Sequence, residues 1–162
     1  MIRPTCWVAL AALLAGGTVG NAAPDPIGRW DFDEPQGPQV VDASGNGFHG
    51  TATNVTWVPA GRGYAAQFRG YDSFVDCGTA VGERLAKALT LEAWVNPQNT
   101  PAGEVGIAGT GYDGFLLTHY NDGGLWWYIA SGTNQARAPI ENQTRAPVGA
   151  TLDGGRRALF LH

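Results

Sequence analysis

The residues best placed to do chemistry lie between Asp42 and Gly50, in the stretch DASGNGFHG. Gly45, Gly47 and Gly50 spell G-x-G-x-x-G, the dinucleotide-binding fingerprint. That chemistry needs a helix after the glycines, whose N-terminus holds the pyrophosphate. Here the run Thr51 to Val58 follows, rich in β-branched residues and strand-like, so the nucleotide reading fails. Asp42, Ser44 and Asn46 also fit positions one, three and five of an EF-hand loop, with Gly47 at the sharp turn. The twelfth position should be a bidentate Glu, and it is Thr53. Two readings stay open. Asp42 and Asn46 can act as side-chain ligands in a partial calcium shell, or Asp42 can close an Asx-turn while Gly45 and Gly47 take positive φ. Asp113, in Gly111-Tyr112-Asp113-Gly114, is a second calcium candidate against the same alternative, an Asp-Gly turn.

Other chemistries have less support. There is no G-x-S-x-G elbow, and His49, His119 and His162 lack metal-ligand spacing. His49 reads as an exposed loop residue and His119 as a polar strand position. Asp31 and Asp33 share a strand face but suit turns or solvent. No catalytic residue is assigned. Sugars stack their apolar faces on aromatic rings while carboxylates and amides bond the hydroxyls. Glu92 with Trp94, and Trp126 with Tyr128, offer such pairs. The alternative for either aromatic set is to fill the core.

These side chains need strands to hold them. Short β-rich runs occur at Ile27–Phe32, Val55–Val58, Tyr64–Phe68, Ser73–Cys77, Leu89–Val95, Gly114–Tyr120 and Leu125–Ala130, separated by glycine and small polar residues. That spacing predicts an all-β sandwich. Val81–Leu89 is the one helix candidate. Alternation over Leu89–Val95 puts Leu89, Leu91, Ala93 and Val95 on a core face and Thr90, Glu92 and Trp94 on a mixed one. Over Leu125–Ile129, Trp126 and Tyr128 share one face and Trp127 and Ile129 the other. One set fills the core, and the other lies in a groove or under a loop.

Four landmarks occur in order: Trp30-Asp31-Phe32-Asp33-Glu34, then Asp42 to Gly50, then Tyr64-Ala65-Ala66-Gln67-Phe68-Arg69-Gly70 with Ser73-Phe74-Val75, then Leu89 to Pro97. With them the chain resembles the laminin-G-like, concanavalin A-like domains of exported bacterial proteins. The resemblance implies an antiparallel two-sheet jelly roll, binding of a glycan or a surface protein, and in some members a calcium ion. It departs from the family at Ala146-Pro147-Val148, where a Trp-x-His element is usual. The family also continues beyond the strand-like Ala158-Leu159-Phe160-Leu161, so C-terminal strands are expected to be missing and the chain to be a fragment. Glucanases of the same fold carry E-x-D-x-x-E, which places two carboxylates about the scissile bond. That run is absent, which leaves a glycan-processing enzyme, or an inactive fragment of a larger surface protein, as the alternatives to a recognition domain.

Residues 1–23 read as a signal peptide: Arg3, then the apolar run Cys6 to Ala15, then the small residues Gly20-Asn21-Ala22-Ala23. The run is shorter than the roughly 20 residues of a membrane span. Residues 24–162 form one domain, expected in a secreted, cell-surface or periplasmic location. Ten basic residues against fourteen acidic ones give a formal charge of −4, with no basic cluster beyond Arg156-Arg157. Nucleic acid is therefore not an expected partner. Cys77 is the one cysteine outside the leader and reads as a small buried hydrophobe. Asn54-Val55-Thr56 and Asn142-Gln143-Thr144 are glycosylation sequons if the host glycosylates.

Overall fold

The computed structural model describes residues 6–14, 25–61, 63–70, 72–83, 88–111, 114–129, 134–153 and 156–161. Among them the architecture is all-β, with antiparallel pairings throughout. The strands are β1 (Cys6–Leu14), β2 (Gln39–Val40), β3 (Gly50–Thr53), β4 (Thr56–Pro59), β5 (Tyr64–Phe68), β6 (Phe74–Asp76) and β7 (Ala88–Val95). They continue with β8 (Val105–Gly109), β9 (Phe115–His119), β10 (Gly124–Ile129), β11 (Asn134–Pro139), β12 (Ala146–Asp153) and β13 (Arg156–Leu161). A single helical turn, α1 (Ala80–Glu83), precedes β7. No helix among the described residues is long and apolar enough to cross a membrane.

Three sheets result: a six-stranded one in the order β13-β12-β7-β1-β5-β4, a four-stranded one in the order β11-β10-β9-β8, and a three-stranded one, β2-β3-β6. The six- and four-stranded sheets share one apolar core. Leu89, Leu91, Ala93 and Val95 of β7, with Val148 and Ala150 of β12, belong to the same cluster as Leu117 of β9 and Leu125, Trp127 and Ile129 of β10. Each fully buried aliphatic side chain of this kind contributes about 1.5–3 kcal/mol over its exposed state. A second cluster joins Trp30, Phe32, Val40 and Ala66, and Phe68 and Val81 pack against both.

The alternation read over Leu89–Val95 holds: residues 89, 91, 93 and 95 are buried and Trp94 is exposed. Tyr64–Phe68 forms β5 with the bounds read from sequence. Two other expectations need correction. Ile27–Phe32 is not a strand; it makes one bridge, Trp30 to Asp42, and Phe32 beyond it turns to φ 55°. The helix candidate does not reach Leu89. β7 already begins at Ala88, whose partner is Asp153 of β12, so cross-strand pairing overrides the helical spacing of Leu85 and Leu89. Sequence reading also passed over β2, β8 and β11, which are short or carry small and polar residues. The apolar N-terminal run is β1 and lies inside the six-stranded sheet, between β5 and β7.

Two turns show why particular residues stand where they do. Gly63 sits at φ 78°, and a side chain there would collide with the Asp33 carboxylate. That carboxylate accepts the Tyr64 N–H at 2.7 Å, which fixes the start of β5. Asp31 forms an exposed ion pair with Arg29 at 2.7 Å. Glu34, the third acid of the first landmark, accepts the Val41 N–H at 2.8 Å, so all three acids there are engaged by hydrogen bonds or an ion pair.

Candidate functional site

The Asp42–Gly50 turn is held from its first residue. Asp42 is almost fully buried. Its Oδ1 accepts the backbone N–H groups of Arg29 at 3.0 Å and Ser44 at 2.9 Å, and its Oδ2 accepts that of Phe48 at 2.9 Å. Burial pushes the Asp42 carboxyl up, but hydrogen bonds from Ser44 and from the Arg29, Ser44 and Phe48 amides outweigh it and hold it below its ordinary value. Asn46 turns its amide nitrogen onto the Ile27 carbonyl at 3.0 Å and onto Ser44 Oγ at 3.3 Å. Gly45 and Gly47 adopt φ 86° and 80°. His49 accepts the Asp42 N–H through Nδ1 at 3.1 Å. Trp30 donates its indole N–H to the Phe48 carbonyl at 2.8 Å. These bonds account for the turn without a cation. Among the described residues no group of three or more His, Cys, Asp or Glu side chains is gathered as a metal site. Calcium prefers six to eight oxygens, and the bonds above already engage both Asp42 carboxylate oxygens. Asp113 lies outside the described residues.

The two aromatic pairs face opposite ways. β7 and β10 each turn one alternate set into the shared core. Glu92 and Trp94 therefore lie on the outer face of the six-stranded sheet, and Trp126 and Tyr128 on the outer face of the four-stranded one. One small ligand cannot bridge them. Trp94 is 41% exposed, and the Arg145 guanidinium sits over its ring at 4.7 Å, occupying the surface a sugar would need. Glu92, half-buried, lies opposite Gly149.

The face carrying Trp126 is more elaborate. Trp126 and Tyr128 hold near-parallel rings, 6.1 Å apart and 12° inclined. Tyr120 stands edge-on to Trp126 at 6.2 Å. The hairpin Asn121-Asp122-Gly123 between β9 and β10 returns Asp122 to the strand, where its Oδ1 accepts the Gly124 N–H at 2.8 Å. Asp122 also accepts the Trp126 indole N–H at 3.3 Å and Arg137 Nε at 2.8 Å. The Arg137 side-chain hydrogen bond, the largest influence, holds the Asp122 carboxyl below its ordinary value, so it stays ionised at neutral pH. Arg137 is the cross-strand partner of Trp126, and its guanidinium lies 5.9 Å from the ring centre. A side chain at Gly124 would press on that guanidinium, so the glycine leaves room for it. Tyr128 is only 9% exposed. Burial, followed by the negative charge of Glu104, raises its phenol above the ordinary value. The surface a ligand can reach is therefore Trp126, Tyr120, Asp122 and Arg137, with Tyr128 behind Trp126 as support. Asp122 carried a sequence cue in Asn-Asp-Gly-Gly, a hairpin signal. Arg137 carried none, because its place follows from register.

His119 is a polar strand position, as read from sequence, but a buried one: it is 3% exposed, on the same face of β9 as Leu117 and opposite Leu125. Its Nε2 has no hydrogen-bond partner among the described residues. Burial lowers its pKa below the ordinary value, against the opposing pull of Asp122. The unfolded chain takes up a proton near pH 6.5 that the folded chain resists, so stability falls as pH drops below about 6.5. The slope is at most about 1.4 kcal/mol per pH unit. Thermal melts of wild type and His119→Leu from pH 7 to pH 5 should show a clear decline for wild type and a flatter one for the variant. Equal slopes would remove His119 as the cause.

Cys77 is half-buried, and burial, with Asp76 and Asp42 nearby, pushes its thiol up to about 11. It stays protonated and unreactive at neutral pH. No protein-family profile, no curated protein and no solved structure matches this chain.

Proposed function

We propose that this chain is an exported, non-catalytic recognition domain of the laminin-G-like jelly-roll class, and that it binds carbohydrate on the outer face of the four-stranded sheet. One observation carries the reading. Trp126 is half-buried on that face, braced by Tyr128 and Tyr120, with the Asp122–Arg137 ion pair at its edge. A flat apolar surface beside fixed charged donors and acceptors is what a pyranose ring and its hydroxyls require. The all-β sandwich architecture and the four ordered sequence landmarks support the class. Asp122, an ionised carboxylate tied to Arg137, suits the acceptance of hydrogen bonds from sugar hydroxyls and not the general-acid role of a glycoside hydrolase.

A glycan array probed with wild type and Trp126→Ala tests the proposal. The variant should lose at least tenfold in affinity for any hit, on the order of 1.4 kcal/mol. Equal signals, or none from wild type, would sink the assignment. Loss with Trp94→Ala alone would move the site to the opposite face.

A further inference from the structure

His119 is the last residue of β9, and its imidazole is almost fully buried on the Leu117 side of the strand. Nε2 has no hydrogen-bond partner among the described residues. Val105 of β8 and Leu125 of β10 flank it in register. The six-stranded sheet lines the same core with apolar side chains. Charged groups stand at the borders: Glu104 precedes Val105, Glu141 follows the buried Ile140, and Asp122 lies in the hairpin, tied to Arg137 of β11. Of these, Asp122 is the one whose charge acts on the imidazole.

A neutral imidazole is tolerated in such a place. Protonation adds a charge and a further N–H donor where no acceptor waits, and a buried unpaired charge is expelled rather than kept. The way out is through the end of the sheet. Beyond His119 the chain is held by a few bonds. Tyr120 N–H meets the Gly124 carbonyl at 2.9 Å, Gly123 N–H the Tyr120 carbonyl at 3.0 Å, and Ile140 N–H the Gly123 carbonyl at 3.5 Å. Gly124 N–H meets Asp122 Oδ1 at 2.8 Å. Further along the same strand pair, Leu117 and Trp127 are opposite each other and fully buried. Local opening takes least free energy where backbone bonds are few and near solvent. The hairpin that must open carries Tyr120 and Asp122, two of the groups set around Trp126.

We propose that His119 is an acid-sensitive latch for the Trp126 face: its protonation opens the Tyr120–Gly124 hairpin, withdraws Tyr120 and Asp122 from Trp126, and releases bound glycan. The release rests on the carbohydrate reading given above. The latch rests on the placement of His119. Its direction follows from charge. Near pH 7 the imidazole is neutral and the hairpin closed. The open hairpin takes up a proton near pH 6.5, which the closed one resists. Opening therefore grows by up to about tenfold per pH unit below that value, or about 20-fold from pH 7 to pH 5.

Native-state hydrogen exchange on the full chain, at pH 7 and pH 5 across low urea concentrations, tests the latch without any glycan. After correction for intrinsic exchange, the Tyr120, Gly123 and Gly124 amides should lose about 20-fold in protection at pH 5. That loss should depend little on urea, because a small opening exposes little surface. Amides of Leu91, Ala93 and Val148 should keep the steep urea dependence of global unfolding. His119→Gln, which takes up no proton in this range, should abolish the pH dependence of the hairpin amides. No loss of protection, a loss with the urea dependence of β7, or an equal loss in His119→Gln would overturn the proposal. If that variant does not fold, the ring protons of wild-type His119 should titrate at the midpoint of the hairpin protection, and a different midpoint would overturn it. The glycan array, repeated at pH 5, reads release: signals at least tenfold weaker than at pH 7 are expected for wild type. Hairpin opening with unchanged glycan signals would overturn the coupling. No glycan signal at pH 7 would overturn the carbohydrate reading, and the exchange data would still decide the latch.

Discussion

Asp42→Ala is expected to lower the unfolding free energy by about 3–5 kcal/mol, among the larger effects of any single substitution. The wild-type carboxylate takes three backbone N–H groups, from Arg29, Ser44 and Phe48. Alanine leaves all three without their acceptor. Hydrogen bonds to a charged group contribute about 1.5–3 kcal/mol each, and they are not additive when they share one carboxylate. Asp42→Asn should lie between the two. Its single oxygen can serve Arg29 and Ser44, while its NH₂ then faces the Phe48 N–H. Urea denaturation followed by tryptophan fluorescence measures both. The wild-type contribution should also depend on pH in a defined direction. The folded pKa lies below the unfolded one, near 3.9, so the stabilisation is fully present above about pH 4 and is lost as pH falls through the folded value. An Asp42→Ala loss under about 1 kcal/mol would mean that water replaces the carboxylate and that the turn is not what organises this end of the fold.

The second large effect separates two adjacent tryptophans. Trp127→Ala should cost about 3–5 kcal/mol, as a large buried aromatic replaced by a methyl group leaves a cavity. Trp127 is fully buried and packs its ring 5.7 Å from that of Phe115. Trp126→Ala should cost under about 1 kcal/mol, because that ring is half-buried and solvent refills the space. The same pair should invert in a binding assay, where Trp126→Ala is the damaging change. Trp127→Phe should be milder than Trp127→Ala. It keeps a ring in the cavity and removes an indole N–H that has no partner among the described residues. Urea midpoints for the three variants settle the order. Similar losses for Trp126→Ala and Trp127→Ala would contradict the assignment of the two faces.

Part of this organisation could be read without coordinates, and the reasons are local. Tyr64–Phe68 appears as β5 with the expected bounds because glycine-containing turns flank a short β-rich run. The alternation in Leu89–Val95 predicts which four residues are buried, since strand geometry sends successive side chains to opposite faces. In the Asp42–Gly50 turn, positive φ at Gly45 and Gly47 follows from residue type. Where local signals misled, a distant pairing had overridden them. Ala88 is extended because Asp153 lies beside it, and Phe32 leaves the strand conformation at a buried, aromatic-lined position against Trp57 and Phe68.

The candidate site divides along the same line. By itself the sequence determined that Trp126 and Tyr128 must share one face and Trp127 and Ile129 the other, and that Asp42 heads a turn. Only the tertiary structure decided which of the two faces enters the core. Alternation is symmetric, and the choice is made by what packs opposite: Trp127 belongs to one buried cluster with Leu117, Leu91 and Val148. It also decided that Arg137 reaches Asp122 and that the Asp42 carboxylate meets the Arg29 amide. It put the N-terminal run between two strands that it does not adjoin in sequence. Each of these joins residues far apart along the chain, and pattern within a short window has no access to such contacts.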